Sequence, residues 1–152
     1  YKDNGDITEE DIVEAIPKTL QDNIFDLTQL ILGKKIDQAR DLVKDLTLQG
    51  EDEIKLIAIM LGQFRLYTQV KILQESGQTE SQMVSSLGHY LGRNPNPYQI
   101  KFALRDTRGL SLNFLQDSIR YLIQADYQIK TGVYEKGYLF EKALLQIASQ
   151  SN

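Results

Sequence analysis

The chain has no cysteine and no tryptophan, and only one histidine. Without cysteine there can be no disulfide and no thiolate metal site. His89 alone cannot supply a metal cluster, so no cofactor or metal is expected. Proline is scarce, with three in 152 residues, so few positions forbid helix. No uninterrupted apolar run reaches the ~18 residues that a membrane span needs, so no span is expected. No signal-peptide pattern opens the chain, and an intracellular, cytoplasmic protein is expected. The chain starts at Tyr1 in the polar stretch YKDNG without an initiator methionine, as a piece of a longer protein would.

Strand signatures are also missing. No stretch alternates polar and apolar residues between turn signals, and Asn4-Gly5 has no flanking apolar runs to pair. Phosphate-binding glycine motifs fail as well. Gly33-Lys34 would need glycine at position 28, which is Thr28, and Ser or Thr at position 35, which is Lys35. Nucleophile–base pairs lose their commonest members when cysteine is absent and histidine is single. The acidic pair Glu9 and Glu10 sits where helix capping explains it. No catalytic residue is therefore expected, and the chain reads as a non-enzyme.

What the sequence does have is ordinary globular material. Hydrophobic residues make up 41% and charged residues 25%, enough for a sizeable core in one compact domain. The formal net charge of −4 lacks the electrostatic footprint of a dedicated nucleic-acid binder.

Apolar residues recur at helical spacing almost throughout. The spacing predicts helices at about 8–15, 22–33, 36–49, 52–76, 79–88, 97–108, 112–131 and 135–149. Thr8, Thr79 and Ser111 stand as N-caps, and Gly33, Gly50, Gly77, Gly88, Gly109 and Gly132 as stops. The 52–76 segment has apolar residues around nearly its whole circumference, so it should be the buried central helix. The expected fold is all-α, an antiparallel helical bundle built around that long helix.

Three charged features invite a functional reading. Lys101, Arg105 and Arg108 share one helix face, with Arg93 just upstream. They read either as a DNA-facing phosphate stripe or as a solvated face, and the acidic balance favours the latter. A helix-turn-helix over 79–108 is weak, because that motif uses a turn of about 3–4 residues. Here two prolines and a longer break intervene. Finally, Asp126 falls on the apolar line of Leu112, Leu115, Ile119, Leu122 and Ile129. A carboxylate there needs a partner. A pair with Arg65 on the long helix is expected, with Lys130 at i+4 as the alternative.

Taken in order, several segments resemble a known family. Asn23-Ile24-Phe25-Asp26-Leu27, Ile31-Leu32-Gly33-Lys34, Gly50-Glu51-Asp52, Gln63-Phe64-Arg65-Leu66, Leu87-Gly88, and Pro97 with Lys101 and Ala103-Leu104 all fit. So does Ala125-Asp126-Tyr127-Gln128-Ile129-Lys130-Thr131-Gly132, close to a family ending Asp-x-x-Ile-Lys-x-Gly. Together they resemble the C-terminal domain of the bacterial DNA polymerase III delta subunits. Glu53 departs from the family, where proline is frequent, but glutamate also suits a first helical turn.

The resemblance implies a role. Residues 20–152 would be the helical collar (oligomerisation) domain of a clamp loader. Residues 1–19 would be the tail of the preceding AAA+ lid domain. The collar would join other loader subunits, delta-prime and tau/gamma, into a ring that supports loading of the sliding clamp onto primed DNA. Contact with the clamp itself would belong to an N-terminal domain absent here, and DNA contact would be at most indirect. Ring subunits need two different flanks. Tyr67, Tyr121, Tyr127, Tyr134 and Tyr138, with Phe140, are candidates for such flanks if they are not core. The rival reading is a helical DNA-binding module using the Lys101, Arg105 and Arg108 face.

Overall fold

The computed structural model describes residues 19–91 and 97–151. Expectations for 1–18, including the 8–15 helix and nearly all of the lid tail, lie outside the described residues, as does Arg93. The described residues form seven helices: α1 Leu20–Leu32, α2 Ile36–Leu48, α3 Glu53–Glu75, α4 Glu80–Leu91, α5 Pro97–Thr107, α6 Leu112–Lys130 and α7 Lys136–Ala148. No strand occurs among them. The all-α bundle around a long helix is what the structure shows.

Local chemistry sets most boundaries. Thr19 closes a capping box with Asp22. The Asp22 N–H donates to Thr19 Oγ1 at 3.1 Å, and the Thr19 N–H donates to Asp22 Oδ2 at 3.2 Å. This box starts α1 two residues before the apolar pattern does. Thr79 and Gln82 form the same box ahead of α4. Ser111 caps α6 by accepting from the Phe114 N–H at 3.0 Å.

Four helices end in the same way. In α1, α2, α3 and α6 the chain makes the paired backbone bonds of a Schellman motif, for example Gly132 N–H to Ile129 O and Val133 N–H to Gln128 O, both at 3.1 Å. The left-handed residue is glycine in three of them and Lys34, with φ of 60°, in the fourth. Gly33 thus caps α1, but the unusual backbone falls on Lys34. Gly88 does not stop α4, which continues through it to Leu91. His89 consequently lies on an exposed helical position rather than in a loop.

The long helix α3 packs against α1, α4, α5, α6 and α7. Leu56, Ile57, Met60, Leu61, Phe64, Tyr67 and Val70 are its buried residues. By length and composition α3 could cross a membrane. Its apolarity is accounted for by the helices that surround it, because a helix at the centre of a bundle meets core on most sides.

Hydrogen bonds report the directions of the helices. Thr28 Oγ1 donates to Gln63 Oε1 at 2.6 Å, tying α1 to the middle of α3. Gln150 Nε2 donates to Ser118 Oγ at 2.8 Å, joining the end of α7 to the early part of α6. Lys136 Nζ donates to Asp52 Oδ2 at 2.9 Å, bringing the start of α7 to the start of α3. The C-terminus of α6 therefore lies near the N-terminus of α3, and the two run antiparallel.

Candidate subunit interface

Most of the large exposed apolar residues among the described ones gather where α6 turns into α7, while Ile72 lies on α3 and Tyr98 and Phe102 on α5. The buried line of α6 is Phe114, Leu115, Ser118, Leu122, Ala125 and Ile129. Ile123 and Tyr127, one turn apart, lie off that line and face water, Tyr127 with 67% of its surface exposed. Gly132, with φ of 70°, then reverses the chain. Val133, Tyr134 and Tyr138 follow on the outside, the two tyrosines 60% and 56% exposed. Their rings meet edge to face at 5.8 Å, so they form one aromatic surface. Leu48, at the end of α2, is exposed four residues before Asp52 and belongs to the same end of the bundle.

Polar contacts hold this corner in place. Asp52 caps α3 by accepting from the Ile54 N–H at 2.8 Å while it also accepts from Lys136. The lysine hydrogen bond, and next the backbone one, draw the Asp52 carboxyl below its ordinary range. The same bond raises Lys136. Arg40 of α2 pairs with Glu141 of α7 on the adjoining side. A corner tied to the start of α3 and to α2 presents its aromatic rings without first having to be ordered, which lowers the entropic cost of binding.

Several expected residues are placed elsewhere. Tyr67 is 3% exposed and sits inside the core rather than on a flank. Its hydroxyl donates to Asp106 Oδ2 at 2.9 Å, and Gln29 Nε2 donates to the same oxygen at 2.7 Å. Burial first, then the Asp106 charge, pushes the Tyr67 phenol well above the usual tyrosine range. Phe140 is likewise fully buried. Tyr121 is half-buried against the core, with Arg120 over its ring at 5.8 Å. The surplus apolar residues of α3 also prove mostly core margin: Ile54, Ile59, Leu66 and Leu73 are partly buried, and only Ile72 is strongly exposed.

The expected Arg65–Asp126 pair does not form. Arg65 is exposed, and Asp126 accepts from Lys130 Nζ at 2.8 Å. Ala125, not Asp126, continues the buried line, and one residue of rotation carries the carboxylate to the helix flank.

Lys101 and Arg105 are exposed on α5 and Arg108 in the turn just after it, but Arg105 is engaged by Asp106 at 3.1 Å and stacks 4.9 Å from the centre of Phe102. Among the described residues no group of three or more His, Asp or Glu is placed to hold a metal ion.

Sequence reasoning missed Ile123, Val133 and Leu48 as surface residues. Each lies off its helix's buried line or beyond a stop, so strict heptad reading could have found them. It also missed Asp106 and Gln29, whose long-range pairing leaves no local signal.

Comparison with known proteins places this geometry. Residues 21–147 match the model of the family described as "DNA polymerase III delta subunit, C-terminal domain". The DNA polymerase III subunit delta of Bacillus subtilis is 32% identical over 149 residues, which are 98% of this chain and 41% of that protein. The solved structure of the Bacillus subtilis DNA clamp loader delta protein superposes with a TM-score of 0.81 at 32% identity, covering 95% of this chain and 41% of the other. The chain thus spans about two fifths of the length of these relatives. With the family match covering most of the helical bundle, the chain belongs to the family of C-terminal domains of DNA polymerase III delta subunits.

Proposed function

We propose that this domain is the collar piece of a clamp loader, and that the α6–α7 corner meets the helical domain of a sister subunit. The observation that carries the reading is the exposed ring pair Tyr134–Tyr138 beside Tyr127, on a chain that shares its fold with a clamp loader delta protein. Tyrosines bring large contact area at low entropic cost and are enriched at interface centres. The sister subunits are delta-prime and tau/gamma. Residues 20–152 are the collar domain and residues 1–19 end a preceding lid domain. The role is assembly in the cytoplasm, without catalysis. Contact with the sliding clamp belongs to another part of the full-length protein, and DNA contact is indirect.

Size-exclusion chromatography and pull-down with the delta-prime and tau/gamma collar domains test this. A complex is expected, and Y127A/Y134A/Y138A should weaken it at least roughly tenfold, since truncated hot spots cost more than about 1 kcal/mol each. The same variant should keep its helical circular dichroism, because all three rings are exposed. No association at roughly 50 μM of each domain, a concentration that detects even weak pairs, would overturn the reading.

A further inference from the structure

Helix α5 turns a short face, both cationic and apolar, to water. Tyr98, Lys101, Phe102 and Arg105 are exposed along it, and Arg108 follows in the turn just after the helix. Their spacing of three and four residues sets them on one side. Lys101, Phe102, Arg105 and Arg108 border a depression of about 470 Å³, with Leu104 of the same helix, Gln74 of α3 and Glu80 of α4 completing its lining. Glu80 is the one acid set against three cations there. Among the described residues neither Lys101 nor Arg108 has an acidic partner. Arg105 has one, and that contact holds it in place. Its Nε donates to Oδ1 of the nearly buried Asp106 at 3.1 Å, while 56% of the Arg105 side chain stays exposed.

This face lies far from the α6–α7 corner and differs from it in charge. Tyr67 and Lys71 of α3 donate to Asp106 and to the Thr107 carbonyl, so α5 ends beside the C-terminal half of the central helix. The corner is tied to Asp52, ahead of the other end. About 30 Å of helix separates Asp52 from Lys71, so both surfaces can be covered at once. At the corner Lys136, Arg40 and Lys130 are each paired with an acid. Only the α5 face presents cations that the bundle leaves unneutralised.

We propose that the α5 face docks a short acidic segment of a partner protein, in which carboxylates flank one large apolar side chain. The carboxylates meet Lys101, Arg105 and Arg108, and the apolar side chain lies over Phe102 and Leu104. A guanidinium suits a carboxylate because parallel N–H groups can reach both oxygens. Arg105, already positioned by Asp106, gives up less freedom on binding than a loose side chain would. The lining disfavours a nucleic acid in three ways. Arg105 covers the Phe102 ring at 4.9 Å and Phe25 packs against it at 5.9 Å, so that ring is no open platform for stacked bases. Glu80 repels a phosphate chain on the α4 side but accepts from a peptide N–H. The cations span only about 10 Å from Lys101 to Arg108, so they can neutralise few phosphates. Exposed ion pairs are individually weak and screened by salt, and docking therefore depends on the apolar contact as well as the charges.

Fluorescence anisotropy of the full chain with short labelled peptides tests this. Each probe carries Asp-Glu-X-Glu-Asp between serines, with X leucine, methionine or phenylalanine, and the control has glycine at X. At least one apolar probe is expected to bind with a dissociation constant below roughly 200 μM, and at least roughly threefold more tightly than the glycine control. K101E/R108E is expected to weaken that binding at least roughly tenfold and to keep its helical circular dichroism, because both side chains are exposed. Y127A/Y134A/Y138A is expected to bind the probe unchanged, which separates this site from the corner whether or not the corner meets a sister subunit. No binding of any probe at roughly 1 mM would overturn the proposal. So would binding that K101E/R108E leaves unchanged, which puts the peptide elsewhere, or equal binding of the glycine control, which leaves charge alone. Labelled oligothymidylate bound more tightly than every probe, and lost in K101E/R108E, would overturn it in favour of nucleic acid.

Discussion

The hydroxyl of Tyr67, on the central helix, donates to Oδ2 of Asp106, near the end of α5, at 2.9 Å. Gln29 of α1 donates to the same oxygen, and Arg105 pairs with the other at 3.1 Å. The Asp106 side chain is only 4% exposed, so its charge is held almost entirely by these three partners. Nearby, Lys71 Nζ donates to the Thr107 carbonyl at 3.2 Å, satisfying one of the last acceptors of α5. One carboxylate thus fixes how α1, α3 and α5 meet. Apolar packing supplies most of the stability of such a bundle but is less directional, whereas a satisfied polar knot specifies a single arrangement.

Tyr67→Phe keeps the ring in the core and removes only the hydroxyl, which donates to Asp106 and accepts a longer bond from Gln29 at 3.4 Å. A hydrogen bond to a charged group contributes about 1.5–3 kcal/mol, and that is the expected loss. The urea midpoint should fall with an unchanged slope, because the surface exposed on unfolding is the same. Asp106→Ala should cost more, at about 3 kcal/mol or above, since it strands a buried donor set. A double-mutant cycle between the two sites should show strong coupling, and additive losses would mean that the bond contributes little.

The same tyrosine makes stability fall at high pH. Its phenol ionises far less readily when folded than when unfolded, through burial and then the Asp106 charge. A group with a raised folded value contributes stability that is intact below its unfolded value, about pH 10 for tyrosine, and is lost as pH rises above it. Urea midpoints measured at pH 9 and pH 11 should separate for the unaltered chain. Tyr67→Phe should remove this tyrosine's share, so its midpoint should change less across the same interval. Equal pH dependence in the two proteins would refute the assignment.

Asp126→Ala should be nearly silent. The carboxylate is 25% exposed and its partner Lys130 is 57% exposed, an i,i+4 pair on a helix flank. Such pairs contribute about 0.3–0.5 kcal/mol. A denaturant melt showing a loss of about 3 kcal/mol would instead require the buried partner that the sequence pattern suggested.

That contrast shows what the sequence could and could not carry. The helix periodicity placed seven helices, the central spine and most caps, because these depend on neighbours three or four residues away. Asp126 was misjudged because a single residue of rotation on α6 separates a core position from a flank. Tyr67 and Phe140 stand in the sequence as either core or flank and are core, since composition does not tell a ring that packs inward from one that faces out. The knot of Gln29, Tyr67 and Asp106 joins residues as far as 77 apart, and no local pattern encodes it. The exposed corner of Tyr127, Tyr134 and Tyr138 was among the expected residues, but only the fold separates it from its buried look-alikes.

The shared helix endings give a matched pair of substitutions with opposite signs. Gly132 and Lys34 occupy the same left-handed position of the same motif, with φ of 70° and 60°. A side chain at that backbone angle costs about 1–2 kcal/mol, which glycine avoids. Gly132→Ala should therefore destabilise the chain by about 1 kcal/mol, although nothing lies within 4 Å of the added methyl. Lys34→Gly should do the reverse and stabilise by up to about 1 kcal/mol, reduced by the greater freedom that glycine gives the unfolded chain. Lys34 is exposed, so its side chain contributes little packing to lose. Thermal melts of the two variants should move in opposite directions. If both move down, the lysine makes a contribution at this turn that outweighs its backbone strain, and the strain argument fails for Lys34.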